Sequence, residues 1–453
     1  MGRTTRPLLG QVLANAGVML TGRAANAVIS LAYLAAAARM LGVRDVGVLI
    51  LINAFALLVG ELIKFNSWQT ILHFGAAPLE AGRRTDLQQV VRFTVVTDLV
   101  SGLAGVAVAV IATLAVGDRL GWGGEHAVGA ALYSLSILFM TPAAPLGLLR
   151  LFNRFDLLAV QTPVCSAVRL GGSALALVAG VSLNLFLAVW ALGTVISFIY
   201  VVVVCIREMA RRDMLEGFRW RGPLAQGLPG AWRFAWATNL SGSADTAFTH
   251  GVTLVVGAVV GPAAAALWRI GRQVADAMVK PAKLLIPALY PELARLHVTD
   301  GEGAMRRLAL QVGLVGGAVA TVLLAVSAVA GKPLLVFVLG ESFGAGAGVM
   351  TWQVAAGVIG IWALPLEPML VSLGRPGEAL KVRLAVAAVL LMVLAPVIKA
   401  YGLNGAGAAL VCAMLALAVG MFLMLQRKTG KPPSRGAYEI SCADDPAQAK
   451  RIP

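Results

Sequence analysis

An all-α, multi-pass membrane fold is predicted by three observations. First, 59% of the 453 residues are hydrophobic and only 13% are charged, with a mean hydropathy of +0.83; soluble domains carry about a quarter charged residues. Second, the apolar residues gather into about twelve segments long enough to cross a hydrocarbon core of roughly 30 Å. Third, the basic residues behind the formal net charge of +15 fall in short runs between those segments. A domain-sized basic patch of the kind that binds nucleic acid is not formed.

The elements follow in order. The first span, 9–41, comes after Arg3 and Arg6. It is too long for a cleaved signal peptide and is interrupted by Arg23, so it reads as a retained helix despite Ala35-Ala36-Ala37. Spans 47–65 and 93–116 flank the segment with Lys64, Arg83, Arg84 and Arg92. Span 127–149 ends on Arg150 and Arg154, and spans 157–181 and 183–206 complete the first half. The second half comprises 232–260, 264–289, 308–330, 346–373, 382–397 and 405–425.

With the N-terminus inside, alternate loops collect the basic residues. The inner loops and the tail then hold roughly five times as many as the outer loops, which places both termini in the cytoplasm. The polar, basic inner segment 207–230 divides the chain into an N-terminal six-helix lobe, 1–206, and a C-terminal one, 231–427, with a disordered cytoplasmic tail at 428–453. The stretch from Leu20-Thr21-Gly22-Arg23 to Leu41-Gly42 is similar to that from Leu240-Ser241-Gly242-Ser243 to Val260-Gly261. Parallel repeats of this kind are related by an axis along the membrane normal and hold a substrate site at their interface.

The strongest functional signal is the span 264–289, which carries Arg269, Arg272, Asp276, Lys280 and Lys283. At about 100° per residue these charges share an arc of roughly 80°. Each would cost about 2.5–3.5 kcal/mol in mid-membrane, so the stripe is expected to line a wet cavity. Headgroup anchoring, or pairing of Arg269 and Arg272 with Asp245 or Asp276, is the plainer alternative, and snorkelling is the favoured reading of Lys280 and Lys283.

Two other helices have narrow polar faces: Arg23, Asn26, Ser30 and Tyr33 on the first, and Asn239, Ser243, Thr246, His250 and Thr253 on the seventh. With Arg169 and the Asn53, Glu61, Lys64 side of the second helix, they outline a cationic central cavity between the lobes. The expected substrate-binding residues are Arg23, Asn26, Arg169, Asn239, Ser243, Thr246, Arg269 and Arg272. A cationic cavity in a membrane calls for an anion, phosphate or carboxylate, and arginine suits bidentate capture of its oxygens. Glu61, Asp98, Asp245 and Asp276 are the candidates for ion coupling, although Glu61 with Lys64 also reads simply as an i,i+3 pair.

Enzyme signatures are missing: there is no zincin motif, nucleophile elbow or Walker loop. The cysteines, Cys165, Cys205, Cys412 and Cys442, are scattered without zinc-ligand or disulfide spacing. No metal and no cofactor is expected. Transport energy would have to come from an ion gradient, H+ or Na+, from the membrane potential, or from the substrate itself.

The segment Ala38-Arg39-Met40-Leu41-Gly42-Val43-Arg44-Asp45-Val46-Gly47 resembles the turn between the first two helices of bacterial polysaccharide-biosynthesis membrane proteins. Ile286-Pro287-Ala288-Leu289-Tyr290-Pro291-Glu292-Leu293-Ala294 resembles the end of their eighth helix. These are the Wzx-type oligosaccharide flippases of the multidrug/oligosaccharidyl-lipid/polysaccharide (MOP) superfamily. The resemblance implies a V-shaped bundle in the bacterial inner membrane. By alternating access it would move an undecaprenyl-diphosphate-linked oligosaccharide, destined for O-antigen, capsule or exopolysaccharide, to the periplasmic leaflet. Membrane lipids and polysaccharide-assembly proteins would be its other partners. Arginines of the first and eighth helices would meet the diphosphate, here Arg23, Arg269 and Arg272. The alternative within the superfamily is a cation-coupled multidrug antiporter, which the surplus of arginine over carboxylate argues against. A membrane glycosyltransferase or a non-transporting scaffold fits the short outer loops or the buried charge less well.

Overall fold

The computed structural model describes residues 8–65, 67–220, 222–283, 301–373 and 375–426. Among these residues the regular structure is helical throughout: α1 Leu8–Ile63, α2 Trp68–Glu80, α3 Arg84–Leu120, α4 Ala127–Ser134, α5 Ile137–Met140, α6 Ala143–Leu151, α7 Phe155–Ala179, α8 Leu183–Arg211, α9 Ala231–Val260, α10 Pro262–Lys283, α11 Gly301–Leu339, α12 Ala347–Trp362, α13 Leu366–Ser372 and α14 Pro376–Gln426. Among the described residues, six helices are long and apolar enough to cross a membrane, seven if the bent pair Gly124–Ser134 and Ile137–Leu151 is one span. Two of these long helices are broken inside. Gly42 interrupts α1 at φ 77°, ψ 172°, and Gly402 interrupts α14 at φ 64°, ψ −153°. Both breaks fall between spans read separately from the sequence, and a positive φ there is accessible to glycine without a Cβ penalty.

Other boundaries moved. The expected helix 127–149 is three pieces: it bends by 46° between Ser134 and Ile137, and it breaks again after Met140, where Thr141 is extended (φ −128°, ψ 90°) and Pro142 has no N–H to continue the ladder. Likewise 346–373 divides into α12 and α13 around Pro365. Helix α2 lies in a segment read from the sequence as connecting loop. It forms because Thr70, Ile71, Gly75 and Pro78 make one buried face, which packs against α6 and α3. The end of the span 264–289, the resembling segment 286–294 and the tail lie outside the described residues.

The chain forms two compact units, Met1–Ala277 with Val326–Gln353 and Leu391–Ala409, and Met278–Ala325 with Val354–Leu390 and Leu410–Pro453. In the first unit α1 packs along α7 and α9, and α7 along α8. Gly22 permits the approach of α1 to α7, since a Cβ there would stand 2.3 Å from the Ala159 carbonyl oxygen. A core of Ile71, Leu87, Val90, Phe93, Leu148, Leu149 and Val201 closes one end of this unit.

The segment following α8 packs onto that core. Gln88 donates to the carbonyls of Met214 and Glu216 at 2.9 and 2.8 Å. Buried Arg92 donates to those of Arg219 and Pro223, while Leu228, Met214 and Phe218 join the core. In the second unit, Met305, Ala309 and Met369 form one small core, and Leu370, Ala379 and Met421 another.

Candidate functional site

A cavity of about 300 Å³ opens within the first unit, walled by α1, α5, α7, α8, α9 and α10. Its apolar wall includes Leu34, Ile50, Leu57, Phe139, Met140 and Trp190, and its polar wall includes Tyr33, Asn53, Gln161, Cys165, Arg169, His250, Arg269 and Gln273. Among the described residues no Asp or Glu lines it. The wall therefore holds two guanidinium groups and no opposing carboxylate.

Arg169 is fixed by aromatic rings. Its guanidinium lies 4.5 Å from the centre of the Trp190 ring and 5.8 Å from that of Tyr33, and these two rings meet edge to face at 5.8 Å. Stacking of this kind keeps the charge while leaving the donor edge of the fork free. The hydrogen bonds are long, 3.4 Å each to the Tyr33 hydroxyl and to Thr194 Oγ1, and the buried Nε has no acceptor. No described carboxylate pairs with it. A buried cation with spare donors is costly unless something anionic meets it.

Arg269 enters from α10 and bears electrostatically on His250 of α9 and on Tyr33. One turn along, Arg272 pairs with Asp276 at 3.1 Å; the same carboxylate also acts on Arg269 but lies outside the lining, so Arg269 brings its charge to the cavity wall. Two contacts hold the helices around it: Ser166 donates to Asn26 at 2.7 Å, and Gln273 to Ser30 at 3.4 Å.

The residues expected from the sequence to form a site are therefore divided. Arg169 and Arg269 reach the cavity wall. Asn26 bridges α1 and α7 beside it, and Arg272 is in an ion pair. Arg23 is exposed and acts on the charge of Arg150, whose guanidinium stacks 4.2 Å over the Trp68 ring. Asn239 is buried and Thr246 half-buried, both outside the lining. The side chains of Ser243, Asp245, Lys280 and Lys283 lie outside the described residues. Glu61 and Asp98 stand apart from the cavity, beside the break between α5 and α6.

Sequence reasoning missed Gln161, Cys165, Trp190 and Gln273. The signal was present: Gln161, Cys165 and Arg169 recur at intervals of four, as do Arg269 and Gln273, so each set shares a helix face.

No protein-family model matches the chain. It is 28% identical over 333 residues to the inner membrane protein YghQ of Escherichia coli, covering 73% of this chain and 93% of that one. Among solved structures, an inward-facing multidrug resistance MATE family transporter of the MOP superfamily superposes with a TM-score of 0.65 at 14% identity, over 88% of this chain and 93% of that one. The lipid II flippase MurJ in an inward closed conformation gives 0.65 at 11% identity, over 90% and 87%. The fold is thus the one shared by MATE and MurJ transporters of the MOP superfamily, and the protein is a multi-pass inner-membrane protein.

Proposed function

We propose that this protein is a flippase that carries a polyprenyl-diphosphate-linked oligosaccharide from the cytoplasmic to the periplasmic leaflet, as a Wzx-type member of the MOP superfamily. The observation that carries the reading is the cavity itself, whose lining holds Arg169 and Arg269 and, among the described residues, no carboxylate. An exporter of organic cations needs the opposite polarity. A phosphate about 4 Å from one guanidinium gains on the order of 4 kcal/mol per unit charge at an effective dielectric near 20, enough to select anions before any sugar is read.

The cavity volume lies at the lower end for small-molecule sites. It suits the diphosphate and the sugar next to it, with Gln161, Gln273 and Asn53 as sugar-hydroxyl partners and the polyprenyl chain left in lipid. Such a headgroup cannot cross hydrocarbon unaided, because its polar groups would lose hydration without replacement partners. The roles of Arg23 and Arg272 change accordingly: Arg272 holds Asp276, and Arg23 lies on the outer face of α1.

The test is transport of a diphosphate-linked oligosaccharide lipid in proteoliposomes, scored by exposure to an impermeant lectin. Wild type exposes the sugar and Arg169→Gln/Arg269→Gln, purified with an unchanged melting temperature, does not. Extrusion of an organic cation such as tetraphenylphosphonium by wild type, with no lectin exposure, would replace this reading with an antiporter.

A further inference from the structure

Beneath the cavity wall, the break between α5 and α6 leaves backbone oxygens without helical partners. In a continuous helix the Leu138 carbonyl would accept from the N–H four residues on, but that residue is Pro142. Thr141 is extended, which ends the helical ladder there, and its carbonyl accepts from the Ala143 N–H at 2.8 Å with a second lone pair to spare. Opened backbone of this kind inside a transporter is the usual seat of a coordinated cation. Here the place is taken by Lys64, a residue only 5% exposed. Its three N–H donors meet three carbonyl oxygens, of Ile137 and Leu138 at 3.3 Å and Thr141 at 3.0 Å.

Two carboxylates complete the surroundings. Asp98 accepts from Ser67 at 2.7 Å and from the Ala144 N–H at 3.0 Å through Oδ2, while its Oδ1 is buried without a hydrogen-bond partner. Glu61 accepts from Thr141 Oγ1 at 2.8 Å. Both charges act on the Lys64 ammonium.

We infer that Lys64 is a built-in cation: its ammonium fills a monovalent-cation site made by the opened carbonyls of 137, 138 and 141 with Asp98 and Glu61, in place of a diffusible coupling ion. Glu61 and Asp98 then serve to retain a tethered charge. The device matters to transport because Phe139 and Met140, on the gripped segment, form part of the cavity wall; the wall keeps its shape whatever the sodium concentration. This holds whether the cavity takes an anion or a cation, so it stands apart from the proposed substrate.

The test is thermal unfolding of the full chain in detergent, with sodium chloride exchanged for choline chloride at constant ionic strength. Wild type melts at the same temperature in both. Lys64→Ala melts lower in choline and recovers several degrees, saturably, as sodium or potassium is added. Lys64→Ala/Asp98→Asn shows no recovery. Should the alanine variant not be purified, Lys64→Ser, which offers one oxygen of its own, is judged in the same way. A shortened-Lys64 variant that melts identically in sodium and choline overturns the inference, as does a wild type that responds as strongly as the variant.

Discussion

Replacing Arg169 by glutamine tests the cavity directly, because the substitution removes the charge while keeping a polar side chain on the same wall. The charge-assisted bonds it would give a phosphate contribute about 1.5–3 kcal/mol, and about 1.4 kcal/mol is tenfold in affinity. Arg169→Gln is therefore expected to weaken undecaprenyl diphosphate binding by about 10- to 100-fold. A native reporter stands next to the site: Cys165 lines the cavity one turn from Arg169. Cys205 is buried and Cys412 exposed, so in a Cys412→Ala/Cys442→Ser background maleimide labelling reads Cys165. Bound undecaprenyl diphosphate should protect it in nanodiscs of zwitterionic lipid, with half-protection moved to higher ligand concentration in Arg169→Gln. Equal protection constants in wild type and variant would refute the argument that an unpaired guanidinium selects the ligand. Protection by tetraphenylphosphonium and not by the diphosphate would invert the polarity assigned to the site.

Other outcomes follow from the same geometry. In a double-mutant cycle, Arg169→Gln and Arg269→Gln should prove non-additive in diphosphate protection, since both charges face one cavity. Arg272→Ala should leave protection near wild type and lower stability by about 0.5 kcal/mol or less, as expected for an i,i+4 pair with both partners partly exposed, measured by thermal unfolding. Gly22→Leu should destabilise by about 1–3 kcal/mol through overpacking of α1 against α7, seen as a lower melting temperature. Arg92→Ala should release the segment after α8 from α3, because buried donors and carbonyls lose each other, and limited trypsinolysis between 211 and 219 should become several-fold faster than in wild type.

Several features of the fold could be read in the sequence because they depend on composition and period. Length and hydropathy of the apolar runs oblige the backbone to satisfy itself within helices, so the all-helical class follows from the chain alone. Gly42 and Gly402 marked breaks because their positions need a φ that other residues resist. Pro142 marked the second break in 127–151, but the bend between Ser134 and Ile137 has neither Pro nor Gly to announce it, and helix α2 depends on the α6 and α3 surfaces it covers.

The charges show the same division. The sequence determined that arginines stand inside apolar segments and that too few carboxylates accompany them, and from this alone an anionic guest could be argued. Tertiary structure decided which arginines lack a close ion pair. Arg269 and Arg272 share one stripe, yet only Arg272 forms the close ion pair with Asp276, which acts on Arg269 from farther off; Arg169, isolated in its helix, is held open by Trp190 and Tyr33 from two others. Helical periodicity assigns a face to each charge, but whether a counter-ion, an aromatic ring or a cavity meets that face is set by contacts between residues far apart in the chain.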